Sequence, residues 1–249
     1  MTHLTVDKDE FRKFIQSFGH NVHDLMLTAR DFSLIGAVAM PTHFFTQRIS
    51  ATIEDSGAIF IDDITSVVSF LRACDGNVIE LKQKTSQPLH LSCGNITTSL
   101  PSSGQPRSAK NLTHVLGMVT EATNNDWKMW AGESLNCYGR LADTVDLVPV
   151  SRMGNVVGKD TGYRTTFKDG ALIIEGGKKG SSSMSITLDL MDTDCPPTDT
   201  TNLFGPWFSL LINGLPQGPC EFYTGAGSVM VLNHVEKESL LVLIPQGGE

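Results

Sequence analysis

Phe11–Ile35 reads FRKFIQSFGHNVHDLMLTARDFSLI, and Pro149–Ile173 reads PVSRMGNVVGKDTGYRTTFKDGALI. The two stretches lie over each other without a gap at an offset of 138 positions. Arg30-Asp31 falls on Lys168-Asp169, Leu34-Ile35 on Leu172-Ile173, and Ile15 and Phe18 on Met153 and Val156. What repeats is an order: an apolar-striped segment, a strand, a tight turn and a second strand. Solenoid units are about 20–50 residues long, so this period predicts a duplicated domain.

The first copy supports that order in detail. Phe11, Phe14, Ile15 and Phe18 fall on one stripe at spacings of three and four, which predicts a helix over 7–19. Asp7 is placed to cap it, Glu10 follows three residues on, and Gly19 is placed to stop it. Lys13 points away from the stripe, and Lys8 and Arg12 flank it. Strands are predicted at 22–30, 32–40, 44–53 and 58–61. Asp62 or Asp63 then caps a helix running to Cys74, with Ile64, Val67, Val68 and Leu71 inward and Arg72 on its flank. Further strands are predicted at 77–84, 89–93 and 96–100.

In the second copy a strand at 137–141 precedes a helix over 146–158, with Val150, Met153 and Val157 on one side and Arg152 and Lys159 elsewhere. Pro149 is tolerable there only because it falls in the first turn. Strands are predicted at 162–168, 171–175, 183–190, 207–211, 220–224, 228–233 and 239–244, with a helical turn over 210–215. Between the copies, PSSGQPRS (101–108) is loop-like, 112–119 is apolar enough for a helix, and Trp127 and Trp130 follow. The expected domains are 1–102 and 135–249, with 103–134 a connector carrying an insertion.

The chain has 249 residues, enough for two cores of ordinary size. No apolar run reaches the roughly 18 residues of a membrane span, and no apolar region follows the N-terminus as in a secretory signal. Five cysteines without CxxC spacing suit a reduced, intracellular setting, in which the sequons at Asn95 and Asn111 are not used. Net charge is −8, which argues against an ordinary basic DNA-binding module but allows cations gathered on one face. Chemistry is sparse. No histidines fall at HxxxH spacing, and no nucleophile elbow is present. Gly176–Ser181 fails the phosphate-loop pattern and reads as a hairpin turn. Asp62-Asp63 and Asp192-Thr-Asp194 read as a helix cap and an acidic surface loop. The expectation is a non-enzyme without cofactor or metal.

Three segments then resemble a known family. KDGALIIEGGKKGSSSMSITLDL (168–190), FGPWFSLLINGLPQGPCEFYTGAG (204–227) and VMVLNHVEKESLLVLIP (229–245) resemble the closing segments of the DNA sliding clamps of T-even-type bacteriophages. These belong to the same broad family as proliferating cell nuclear antigen. FRKFIQSF, LMLTARDFSLIGAVA and GAIFIDDITSVVSFLRACDG resemble the first clamp domain in order and pattern. The resemblance covers about three quarters of the chain, and 103–134 departs from it.

The resemblance implies an α+β fold of duplicated clamp domains, each with two helices packed on a curved antiparallel sheet. It implies a homotrimeric ring around double-stranded DNA, tethering a DNA polymerase and loaded by an ATP-dependent clamp loader. The setting it implies is the cytoplasm of a phage-infected bacterium, with no membrane involved. Lys8, Arg12, Lys13, Arg72, Arg152 and Lys159 are the candidates to face DNA. Leu241, Leu243, Ile244 and Pro245 are the candidates for docking partner peptides. The implied subunit joint is edge-strand pairing of Ile96, Thr97, Thr98 and Leu100 with Met184, Ile186 and Leu188 of the next copy. Two alternatives stay open. One is a monomeric or dimeric herpesvirus-like processivity factor holding DNA on a basic face. The other is a β-rich virion structural protein. An enzyme is the least favoured reading.

Overall fold

A computed structural model of the chain describes residues 1–19, 22, 25–102, 109–158, 160–177 and 182–246. By contact the chain divides into two units. Unit 1 comprises Met1–Ala39 and Phe45–Thr113, and unit 2 comprises Met40–Phe44 and His114–Glu249.

Unit 1 opens with β1 (Thr2–Asp7), which runs directly into helix α1 (Lys8–Ser17). Asp7 caps α1 by accepting the Glu10 N–H at 2.8 Å, and Gly19 closes it with φ of +86°. Then follow β2 (Leu25–Arg30), β3 (Ser33–Met40), β4 (His43–Ser50), β5 (Thr52–Asp55), β6 (Gly57–Ile61) and helix α2 (Ile64–Ala73). β7 (Val78–Gln83), β8 (Leu89–Cys93) and β9 (Ile96–Leu100) finish the unit. The α2 cap is Asp63, whose carboxylate accepts the Thr65 and Ser66 N–H groups. The strands form an antiparallel sheet in the order β5-β1-β7-β8-β9 and a second run β6-β2-β3-β4. Phe11, Phe14, Ile15 and Phe18 are all buried, as their stripe predicts. Phe14 and Phe18 meet edge to face at 5.2 Å above Gly36 of β3, where a Cβ would collide with both rings. α1 packs against α2, whose Val67, Val68 and Leu71 complete that side of the core.

Unit 2 carries most of helix α3 (Ala109–Asn124), the short hairpin β10 (Met129–Trp130) and β11 (Glu133–Ser134), and β12 (Cys137–Leu141). A 3₁₀ turn over Thr144–Leu147 leads into α4 (Val148–Val157). β13 (Tyr163–Lys168), β14 (Ala171–Gly177), β15 (Ser183–Asp189), β16 (Met191–Asp194) and β17 (Thr200–Phe204) follow. Helix α5 (Phe208–Ile212), β18 (Cys220–Thr224), β19 (Met230–His234) and β20 (Ser239–Leu243) complete it. Its antiparallel sheets run β15-β14-β13-β17 and β16-β12-β18-β19-β20. The helix in the connector is longer than expected, and the two tryptophans after it have a clear role. Trp127 stacks on Trp130 and lies 6.0 Å from Tyr223, which in turn meets Tyr138, so the insertion is seated on β12 and β18.

The repeat is accurate where it was read most closely. At an offset of 138, β2 and β3 become β13 and β14, and the turn register Arg30↔Ser33 becomes Lys168↔Ala171. Both turns are left-handed at both central residues: Asp31 and Phe32 at φ of 50° and 58°, Asp169 and Gly170 at 49° and 79°. These are the backbone angles of a two-residue hairpin turn matched to strand twist.

Four expectations are corrected. The 138 offset does not carry through the helix: Phe18 is buried, but Val156 is 55% exposed. The inward face of α4 is the one its own apolar spacing predicts, with Val150, Met153 and Val157 buried. The strand expected at 207–211 is helix α5, and the strand lies earlier, at β17. Phe208 and Ile212, four residues apart, bury on one helical face, with Phe208 against Tyr163 and Phe204. β1 was not expected, because Thr2 and His3 are polar yet buried. The Asp192–Asp194 segment is an exposed edge strand, β16, and not a loop. Of the Gly176–Ser181 turn, residues 178–181 lie outside the described residues, and the strands on either side pair as a hairpin with Gly177↔Ser183 in register.

Phe32 holds its left-handed angle with the ring 84% exposed, so it gains little from burial to offset the strain. Replacing Phe32 by Gly, the residue type of its counterpart Gly170, is expected to stabilise the chain by about 0.5–1 kcal/mol in chemical denaturation. A fall in stability would contradict this reading of the turn.

Candidate nucleic-acid interface

Helices α1, α2, α4 and α5 carry five basic residues, Lys8, Arg12, Lys13, Arg72 and Arg152, and only two acidic ones, Asp9 and Glu10. The whole chain is at −8, so the excess of acid lies on strands, turns and connections. Lys13, Arg72 and Arg152 are exposed. Arg72 sits in the last turn of α2, where a cation also meets the negative end of the helix dipole. Two candidates are locally engaged. Lys8 Nζ donates to the Cys74 carbonyl at 2.9 Å, tying the start of α1 to the end of α2. Arg12 pairs with Asp9 at 3.2 Å, one turn away on the same helix. Unit 1 thus gathers Lys8, Arg12, Lys13 and Arg72 on two helices in contact, and unit 2, taken by itself, carries Arg152 on α4. Lys159 lies outside the described residues.

The four partner-docking candidates divide. Leu241 and Leu243 are fully buried in β20, so a docked peptide could not touch them in this arrangement. Ile244 and Pro245 are half-buried. There the chain leaves the strand: Ile244 N–H donates to the Thr42 carbonyl at 3.0 Å and Gln246 N–H to the Leu203 carbonyl at 2.8 Å. Around that exit stand residues that the sequence reading did not single out. Leu203 is 40% exposed, Trp207 is half-buried, and His43 lies against Trp207 with ring centres 6.3 Å apart. Gly205 makes this possible, because a Cβ there would strike the Trp207 indole and the Gln246 amide. The signal for this corner was present as Gly205-Pro206-Trp207, a turn followed by an aromatic.

His43 Nδ1 lies 3.1 Å from Thr42 Oγ1, and Nε2 is buried without a hydrogen-bond partner. Burial pushes the imidazole pKa down to about 4, so the ring is neutral at pH 7. The unfolded chain takes up a proton near pH 6.5, and the folded one only near 4. Stability from this group is therefore complete above about 6.5 and is lost as pH falls from 6.5 toward 4.

The seven candidate interface residues lie on two strands that each end a sheet, β9 in unit 1 and β15 in unit 2. β9 is largely exposed, with Ile96 at 38%. On β15, Met184 and Ile186 are half-exposed while Leu188 turns inward at 6%. The other sheet ends differ. β5 and β16 are protected by charge, Glu54-Asp55 and Asp192 with Asp194. The free side of β6 meets side chains, with Gln83 accepting the Phe60 N–H and Thr2 donating to the Ala58 carbonyl. β17 meets the C-terminal segment through Gln246. β9 has no charged residue, and β15 has only Asp189 at its last position. Among the described residues no group of three or more His, Cys, Asp or Glu is placed to hold a metal ion. No helix among them is long and apolar enough to cross a membrane.

No protein-family model and no curated protein sequence matches the chain. Its fold is that of DNA sliding clamps. The DNA polymerase III β subunit of Thermotoga maritima superposes with a TM-score of 0.70 at 9% identity, over 100% of this chain and 66% of that one. The Pseudomonas aeruginosa β subunit gives 0.69 at 12% identity, over 98% and 65%. The Helicobacter pylori β clamp, solved with a DNA ligase peptide bound, gives 0.69 at 11% identity, over 99% and 67%. The chain therefore spans about two thirds of the length of these structures. The resemblance to phage clamps and to the proliferating cell nuclear antigen family holds at the level of this shared fold.

The lowered His43 pKa makes stability depend on pH. Wild-type stability is expected to fall by up to about 3 kcal/mol between pH 6.5 and 4 on account of His43. A His43→Leu variant should lose that component in pH-dependent urea melts. Identical pH slopes for the two proteins would refute it.

Proposed function

We propose that the chain is the subunit of a sliding clamp that encloses duplex DNA and tethers a DNA polymerase to it. The observation that carries this reading is the distribution of charge. In a strongly acidic chain, helices α1, α2, α4 and α5 carry more basic than acidic residues, with Lys13, Arg72 and Arg152 open to solvent. A ring needs no tight hold on DNA. Each firm phosphate contact releases counterions and adds affinity, which a clamp must limit in order to move. A handful of exchangeable cations on an inner helix layer guides the duplex, and the acidic exterior disfavours binding anywhere else.

Assembly follows from the two open edges. β9 of one copy pairs with β15 of the next, head to tail, so that Ile96, Thr97, Thr98 and Leu100 meet Met184, Ile186 and Leu188. Because the joint is heterologous, it closes only if the rotation per subunit completes a circle. Three chains, each with clamp domains at 1–102 and 135–249, close a ring of six domains. The helices line its hole and the sheets form its outside. A closed ring cannot open onto circular DNA unaided, so an ATP-dependent loader is required. Partner proteins dock short, partly apolar peptides at the corner of Ile244, Pro245, Leu203 and Trp207, with Leu241 and Leu243 as its buried support. The ligase peptide on the Helicobacter pylori clamp is a precedent for peptide docking on this fold.

Reversing charge at Lys13 and Arg152 together, Lys13→Glu with Arg152→Glu, is expected to cut polymerase stimulation on circular primed DNA by about tenfold or more. The assembly mass should stay unchanged. Full stimulation by the double variant would remove these helices as the DNA-facing layer. Ile186→Lys places a charge on the β15 edge and is expected to weaken assembly by about tenfold or more, read as a shift in the concentration at which the ring dissociates.

A further inference from the structure

Five cysteines are present, and two of them are placed to react with each other. Tyr138 of β12 pairs with Asp194, the last residue of β16, so Cys137 and Cys195 are the next residues along the two antiparallel segments. Directly opposed residues of an antiparallel pair have Cα atoms about 4.5–5.5 Å apart, inside the roughly 4.4–6.8 Å span of disulfides. The two thiols are within hydrogen-bonding reach of each other. Cys137 is buried, with Sγ 3.2 Å from Thr200 Oγ1. Cys195 is half-buried, and its Sγ lies 3.6 Å from the Tyr138 carbonyl. Cys195 also lines an opening of about 210 Å³ that it shares with Lys168, Thr193 and Pro196, which makes it the more accessible residue of the pair.

We infer that Cys137 and Cys195 form a reversible disulfide with low-molecular-weight disulfides such as oxidised glutathione, making this pair a redox modification site. The Cys195 thiolate attacks one sulfur of the oxidant. A protein–glutathione mixed disulfide forms and one glutathione leaves as thiolate. The Cys137 sulfur then attacks Cys195 Sγ, the mixed disulfide breaks, and the second glutathione leaves. The two protons lost by the cysteines end on the two glutathione thiols. The protein is oxidised by two electrons and the oxidant is reduced by two. Burial and the neighbouring Cys137 push the Cys195 pKa up to about 12, so little thiolate is present near neutral pH and the exchange is slow. The bond closes a loop running through α4 and β13–β15 and fastens the far end of edge strand β16 to β12. The inference is independent of the proposed function.

Cys74 and Cys93 provide an internal comparison. They too are neighbours, with Cys74 Sγ donating to the Phe70 carbonyl and Cys93 Sγ to the Gly76 carbonyl, but both are at most 5% exposed in unit 1. The experiment is incubation of the full chain with oxidised glutathione, followed by intact mass and peptide mapping without reduction. The expected result is a loss of about 2 Da, a single Cys137–Cys195 cross-linked peptide and a Tm higher by about 5 °C or more, all reversed by dithiothreitol. Cys195→Ser should show no mass loss, and Cys137→Ala should stop at the glutathione adduct on Cys195. The wild-type map decides the question even if a variant fails to fold. No change in mass, a stable glutathione adduct without cross-link, or a cross-link only between Cys74 and Cys93 would each overturn the inference.

Discussion

An antiparallel sheet cannot simply end, because its last strand presents a row of backbone donors and acceptors that need partners, cover or protection by charge. That constraint organises this molecule. Glu54-Asp55 and Asp192 with Asp194 protect two ends, Thr2 and Gln83 side chains meet a third, and Gln246 meets a fourth. Among the described residues, β9 carries no charge and β15 only Asp189 at its end, and neither edge is met by a hydrogen bond of this kind. One such edge on each repeat unit is what a head-to-tail ring uses, and the proposed assembly rests on this physical ground as much as on likeness of fold. Fold alone hosts unrelated functions, so the edges and the helix charges have to bear the functional reading.

Charge and packing divide the work within each unit. Phe11, Phe14, Ile15 and Phe18 hold α1 down over Gly36, which leaves Lys13 on the far side. In α4, Met153 and Val157 do the same for Arg152, and Gly154 admits the Tyr163 hydroxyl, which bonds to Ser209 at 3.0 Å. The apolar face of each helix therefore fixes which way its cation points. Lys8 and Arg12, engaged with the Cys74 carbonyl and Asp9, contribute to local structure as well as to the field.

Much of this was legible in the sequence because hydrophobic period and turn chemistry agreed. The Asp31-Phe32 and Asp169-Gly170 turns, the Asp7 cap and the strands at 89–93, 96–100, 137–141 and 220–224 are where the residues placed them. The two missed strands share one cause. β1 and β17 bury polar residues, and a hydropathy reading takes buried polar residues for surface. His3 is held between Glu54 and Glu80 at 2.7 Å each, and Asn202 donates to Thr224 and Gly225. Their hydrogen-bond partners are distant in sequence, so nothing local announced the burial. The site was legible in the same uneven way. Exposed cations on helices could be read from periodicity, but Leu241 and Leu243 belong to a strand buried on both faces, where periodicity gives no outward side. His43 joins that corner only through the fold.

The central claim is that copies of this chain close on one another. Absolute mass in solution by light scattering, over a wide concentration range, tests it most directly. A ring of three copies gives a plateau at about 81 kDa, three times the 27.0 kDa chain. A mass of about 27 kDa at every concentration would contradict a self-assembled ring and leave DNA held, if at all, on one open face.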